Sequence, residues 1–117
     1  MATVTILADH KGVARPRVSG DEYVVDATID VNPYVAAGVV INASDLGLST
    51  ITAVTITGTE KAVGNSGFLP NIMLETDGTY TSASSFTIKA TDLDGTNAAA
   101  SDVDNVGMVR IRAYGLI

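Results

Sequence analysis

The chain has 117 residues, a formal net charge of −6 and no cysteine. It is read as one domain that needs no disulfide staple, and thiolate metal sites and cysteine nucleophiles are excluded. One histidine, His10, excludes a multi-histidine metal site within a single chain, and the acidic balance argues against a general phosphate-backbone binder, which needs clustered Lys and Arg.

Hydrophobic residues make up 46% of the chain but aromatics only 5%, so the core must be built mainly from Val, Ile, Leu and Ala. No apolar run approaches the roughly 20 residues of a membrane span. The first residues lack the basic start and apolar core of a signal peptide, so the expectation is a protein made and kept in a cytoplasm, or released only on lysis.

Residues 3–8 alternate Thr, Val, Thr, Ile and predict a short first strand, and Asp9-His10-Lys11-Gly12 predicts a turn. Residues 13–18 carry Arg15 and Arg17, with Pro16 between them denying a full hydrogen-bond ladder, which predicts an edge strand or an extended arm. Lys11, Arg15 and Arg17 with His10 form the one local basic cluster. It reads either as a solvated edge guarded against self-pairing or as an arm laid on an acidic partner surface.

From Glu22 to Val31 the period is two: Tyr23, Val25, Ala27, Ile29 and Val31 share one face, and Val24, Asp26, Thr28 and Asp30 the other. Asp26 and Asp30 are not direct neighbours along such a strand, and both are expected as solvated carboxylates rather than a catalytic pair. Asn32-Pro33-Tyr34 breaks the ladder. Residues 39–41 predict a short strand with both faces covered, because they show no polar alternation.

Asn42-Ala-Ser-Asp-Leu-Gly-Leu predicts one helical turn begun by Asn42 or Ser44, with Leu46 and Leu48 in the core and Gly47 ending the turn left-handed. In 51–58, Thr52, Val54 and Ile56 are predicted to oppose Ile51, Ala53, Thr55 and Thr57. Pro70 splits the apolar run 68–75, which places the next strand from about Asn71 to Thr76. Asp77-Gly78 is the strongest hairpin signal and predicts a return through 79–81. Strands follow over 85–91 and 106–114, separated by a long loop, 92–105. Seven or eight short strands with turns between them predict an all-β fold, an antiparallel sandwich or jelly-roll-like barrel over residues 19–117, with residues 1–18 as an N-terminal arm or edge strand.

For chemistry, Asp92, Asp94, Asn97, Asp102 and Asp104 put many oxygens into one loop. The EF-hand spacing fails, having no twelfth-position glutamate and no flanking helices, so a surface polar loop is expected rather than a calcium site. No serine lies in a Gly-x-Ser-x-Gly elbow and no phosphate-cradling glycine loop precedes a helix. Arg110, Arg112 and Tyr114 fall on one face of the last strand and are expected to pair with carboxylates such as Asp26 and Asp30 across the sheet. Neither enzyme activity nor a cofactor is expected.

The runs GDEYVVDATID (20–30), AGVVINASDLGL (37–48) and STITAV (49–54), with VRIRAYG (109–115) near the end, resemble a group of small structural proteins of tailed-bacteriophage virions. In those, a Gly-x-x-x-Val-Val-x-Ala-x-(Ile/Val) strand precedes a segment like Gly-x-x-(Ile/Leu)-x-x-Ala-Asp-Leu-Gly-Leu. The middle of the chain, 59–105, is not matched.

The resemblance implies a β-sandwich capsid decoration (cement) protein on the outer surface of the virion. It would bridge subunits of the major capsid protein, associate with itself as a homotrimer, and bring no catalytic residues. On that reading the candidate partner contacts are Lys11, Arg15 and Arg17 on the arm and the apolar terminal residues Leu116 and Ile117, with neither nucleic acid nor a membrane as partner. A tail, neck or fibre component of similar fold is the alternative, and a calcium- or carbohydrate-binding sandwich module is a further one.

Overall fold

The computed structural model describes residues 2–9, 11–34, 37–63, 67–74, 76, 78, 81–92 and 105–117. Their elements are β1 (Ala2–Ile6), β2 (Arg17–Ser19), β3 (Glu22–Val31), β4 (Val39–Asn42), a 3-10 turn (Ala43–Leu46), β5 (Thr50–Glu60), β6 (Phe68–Leu74), β7 (Ser85–Asp92) and β8 (Gly107–Leu116). All pairings are antiparallel, in two packed sheets. One has the order β1-β3-β8-β5 with β2 also on β3, and the other the order β4-β7-β6. The fold is an all-β sandwich.

Strict alternation explains the central sheet. In β8, Val109, Ile111 and Ala113 are buried while Met108, Arg110 and Arg112 are exposed. Their register partners in β3 are Ile29, Ala27 and Val25, also buried. Opposite them, Val39 and Ile41 of β4 and Phe86, Ile88 and Ala90 of β7 close the core, with Leu46 and Leu48 from the corner. This aliphatic core is the one expected from a composition poor in aromatic residues.

The corner forms as the residue pattern predicts. The Asn42 N–H donates to the Asp45 carboxylate (3.1 Å), Gly47 takes φ +76°, and the Leu48 N–H returns to the Ala43 carbonyl (3.0 Å). The Pro16 ring lies where a Gly47 Cβ would meet it at 3.2 Å, so the glycine also makes room for the segment from the first edge.

Five local expectations are revised or narrowed. First, of the two readings of residues 13–18, the edge strand holds only at its end, where Arg17–Ser19 pairs with β3, and residues 13–16 are loop. β1 and β2 lie along the same edge of β3, on Ala27–Val31 and on Glu22–Val24 respectively, and the chain between them leaves the sheet as a folded loop. There the Asp9 carboxylate accepts from the Lys11 and Val13 N–H groups (2.8 and 3.0 Å).

Second, β4 is covered on one face only: Val39 and Ile41 are buried, but Val40 is 56% exposed. Among the described residues no layer lies beyond this sheet.

Third, β5 does not alternate evenly. Its pairing with β8 slips between Ile51 and Ala53 and again between Ile56 and Gly58. A bulge inserts one residue and inverts the parity that follows it. Ile51, Val54 and Ile56 therefore all pack on the core side.

Fourth, Pro70 sits inside β6 rather than before it. β6 is an edge strand, and opposite Pro70 stands Ala90, whose N–H is given to the Tyr34 hydroxyl (3.1 Å) and not to β6. The ladder therefore asks nothing of the proline nitrogen, which faces the open edge.

Fifth, the described strand that pairs with β6 is Ser85–Asp92, and the return expected through 79–81 falls, apart from Thr81, outside the described residues. Gly78 has the φ of +80° expected of the turn, while Asp77, Thr79 and Tyr80 lie outside the described residues.

Tyr34 replaces a strand partner beyond the end of β4, and it is 1% exposed. Tyr34→Phe is expected to cost about 1–3 kcal/mol, because it strands a buried N–H rather than removing a solvated one. Urea unfolding should show a lower midpoint at unchanged slope, with faster exchange at the Ala90 amide; an unchanged midpoint would mean that another group takes up that N–H.

Candidate interaction surfaces

The outward face of the β3-β8 pair carries the densest polar chemistry. The register sets Asp26 opposite Arg112 and Thr28 opposite Arg110. The Arg112 guanidinium holds the Asp26 carboxylate through two bonds, Nε to Oδ1 at 2.8 Å and NH2 to Oδ2 at 3.0 Å. Arg17 reaches over from β2 and donates to the same Oδ2 at 3.0 Å. Asp26, expected as a solvated carboxylate, is only 9% exposed. The two guanidinium groups cover it from either side, which a one-strand pattern cannot show.

The bond from Arg112 holds the Asp26 carboxyl below its usual range. Burial opposes that shift, and the positive charges of Arg112, Arg17 and Arg110 add to it. In return the carboxylate raises the Arg112 guanidinium further above neutrality. Such a group is committed to its partners and is not poised to exchange a proton near pH 7. Of the cross-strand pairs expected for the arginine row, the one between Arg112 and Asp26 is formed.

At the end of the same sheet, the Thr52 hydroxyl at the first β5 bulge bonds to the Glu22 carboxylate and lies 3.2 Å from the Tyr114 carbonyl. These contacts tie β3, β5 and β8 together where the sheet frays.

No family model, curated protein or solved structure matches the chain.

The candidate contacts from the sequence fall into two places. Lys11 and Arg15 are exposed on the loop between β1 and β2, whereas Arg17 spends part of its guanidinium on Asp26. His10, the fourth member of the basic cluster, lies outside the described residues. Leu116 and Ile117 are exposed at the far end of β8. Pairing of β2 with β3 and of β3 with β8 sets Arg17, Val24 and Tyr114 in one row and Val18, Tyr23 and Gly115 in the next. The basic edge and the apolar terminus are thus two strands apart on one end of the sandwich, although nearly 100 positions separate them in the sequence.

The oxygens proposed as a calcium alternative, from Asp92 through Asp104, lie outside the described residues apart from the backbone of Asp92. Among the described residues no group of three His, Asp or Glu side chains is placed to hold a metal ion, and no helix is long and apolar enough to cross a membrane.

One surface escaped the sequence reading. The outer face of the β4-β7-β6 sheet sets Val40, Thr87 and Met73 in one row across all three strands, with Leu69 opposite Thr91 further along. Met73 is 67% and Leu69 46% exposed. In residues 68–75 the two polar side chains, Asn71 and Glu75, share the parity of Leu69 and Met73, and that alternation was the available signal for the outward side. The pairing with β7 adds that Val40 and Thr87 stand in the same row as Met73.

Proposed function

We propose that this chain is a structural protein of a tailed-bacteriophage virion, acting as a capsid decoration protein that bridges subunits of the major capsid protein on the outside of the head. One observation carries the reading. Of the four segments that resemble such proteins, 20–30, 49–54 and 109–115 fall on β3, β5 and β8, which lie side by side in the order β3-β8-β5, and 37–48 forms β4 of the other sheet and the corner that leads into β5. Three runs far apart in the sequence thus form one contiguous layer, with the fourth joining it to the second sheet, as an inherited scaffold would. The unmatched region supplies β6 and β7 of the other sheet.

The chemistry agrees with a binding role. The best-organised polar group, Asp26 with its two arginines, is saturated by its own neighbours, and the exposed candidates are apolar ends and surface cations. The partners on this reading are the major capsid protein and further copies of this chain as a homotrimer, and the protein would wait in the host cytoplasm before joining the virion.

The test is purified protein added to expanded heads, followed by cryo-electron microscopy. Density of the sandwich on the outer head surface is the expected result. Density confined to the tail or neck would move the assignment to a tail component, and no association with either would reject a virion role.

A further inference from the structure

We propose that the outer face of the β4-β7-β6 sheet is a self-association surface whose occupant is the same face of a second copy. Two exposed knobs, Val40 and Met73, flank Thr87 in a single register row. Beside that row a groove runs between Leu69 and Met73 of β6 and Lys89 and Thr91 of β7. Knob and groove lie on one face, so two copies related by a two-fold axis can each offer a ridge to the other's groove, and a patch that pairs with itself closes as a dimer. Gly38 keeps the face low beside β7: a Cβ there would stand 2.5 Å from the Thr87 methyl and 3.1 Å from the Lys89 stem.

Charge selects the face on which two copies can meet. Each copy carries −6, so copies repel through most of their surfaces. Lys89 is the one charged side chain among the described residues of this face, whereas the outer face of the other sheet carries Glu22, Asp26, Asp30, Arg110 and Arg112. Two copies meeting here bring together Val40, Leu69, Met73 and Thr87, with Asn71 and the Lys89 stem along the groove, without setting described carboxylates against each other.

The edges of the same sheet are closed to the other mode of association. β6 turns the Pro70 nitrogen to its open side, and β4 is four residues long. Face packing is what remains. Strands of four, seven and eight residues, about 4.8 Å apart and rising about 3.4 Å per residue, give a patch on the order of 300 Å², below the roughly 800 Å² per partner of a standard interface. The dimer is therefore weak and concentration-dependent.

This contact is independent of the threefold association in the virion reading, and the same experiment separates them. Sedimentation of the full chain from low micromolar to near-millimolar concentration is expected to show a species of twice the 12.0 kDa chain mass, strengthened by salt that screens the −6 charges. Met73→Glu or Val40→Glu should raise its dissociation constant at least about tenfold, while Val18→Glu, on β2 of the other sheet, leaves it unchanged. Concentration-dependent amide shifts in the unmodified protein, centred on Val40, Thr87 and Met73, provide a readout that needs no variant. A monomer throughout, a trimer that pairs no further, or a dimer indifferent to Met73→Glu would overturn the proposal. Such a trimer would do so while favouring the virion reading, and a dimer that fails to bind heads would count against that reading alone.

Discussion

Gly115→Ala is expected to cost about 3 kcal/mol or more and to leave little folded protein in a domain of ordinary stability. A Cβ at this position would lie 1.9 Å from the Thr50 carbonyl oxygen and 2.9 Å from its carbon. Both are backbone atoms of the neighbouring strand, so no side-chain rotation relieves them. β5 would have to separate from β8 where it begins. That opening would disturb Ile51, which is fully buried and is bonded both ways to Ala83 (2.7 and 2.8 Å), an isolated bridge that ties β5 to the segment just before β7. The cost is steric, since Gly115 does not have the positive φ that Gly107 shows. Urea unfolding and expression yield are the measurements. A midpoint within experimental error of the unmodified chain would mean that β5 is not held against β8 as described.

Asp26→Ala should destabilise the domain by about 2–3 kcal/mol, the range for hydrogen bonds to charged groups, kept below the figure for a fully buried pair because both arginines are more than 40% exposed. The loss comes less from the missing attraction than from two guanidinium groups left facing each other over a gap. Removing Asp26 and Arg112 together should consequently cost less than the sum of the two single changes.

The pH dependence has a definite sign. The Asp26 carboxyl is lowered in the folded chain, chiefly by the Arg112 bond, so its contribution is complete above the ordinary aspartate range and is lost as pH falls through the lowered native value. The stability difference between the unmodified chain and Asp26→Asn should be flat above about pH 5 and shrink on further acidification. A difference that grew towards low pH would contradict the pairing.

Much of the fold was legible because strands that are wet on one side announce themselves. β3 and β8 alternate without a break, and Asn42-Ala-Ser-Asp-Leu-Gly-Leu carries its own turn chemistry. Where the pattern failed, the reasons are physical. A bulge at Thr52 reverses parity, and nothing in the run Ile51-Thr-Ala-Val-Thr-Ile marks where one residue is inserted. Pro70 looked like a strand breaker because a proline's tolerance depends on which neighbour its nitrogen faces, and that is set by Tyr34, 36 residues earlier. Of the candidate contacts, Lys11, Arg15, Leu116 and Ile117 were readable as exposed from their surroundings in the chain. Arg17 was readable as a cation but not as a partner of Asp26.

The class of architecture, the aliphatic core and the corner at Leu46 and Leu48 follow from periodicities of two and from local turn residues. The strand order, the burial of Asp26 between Arg17 and Arg112, and the exposure of Val40 in a row with Met73 emerge only once the strands pair. Each of those depends on which strand stands next to which, and a local pattern is the same whichever neighbour a strand acquires.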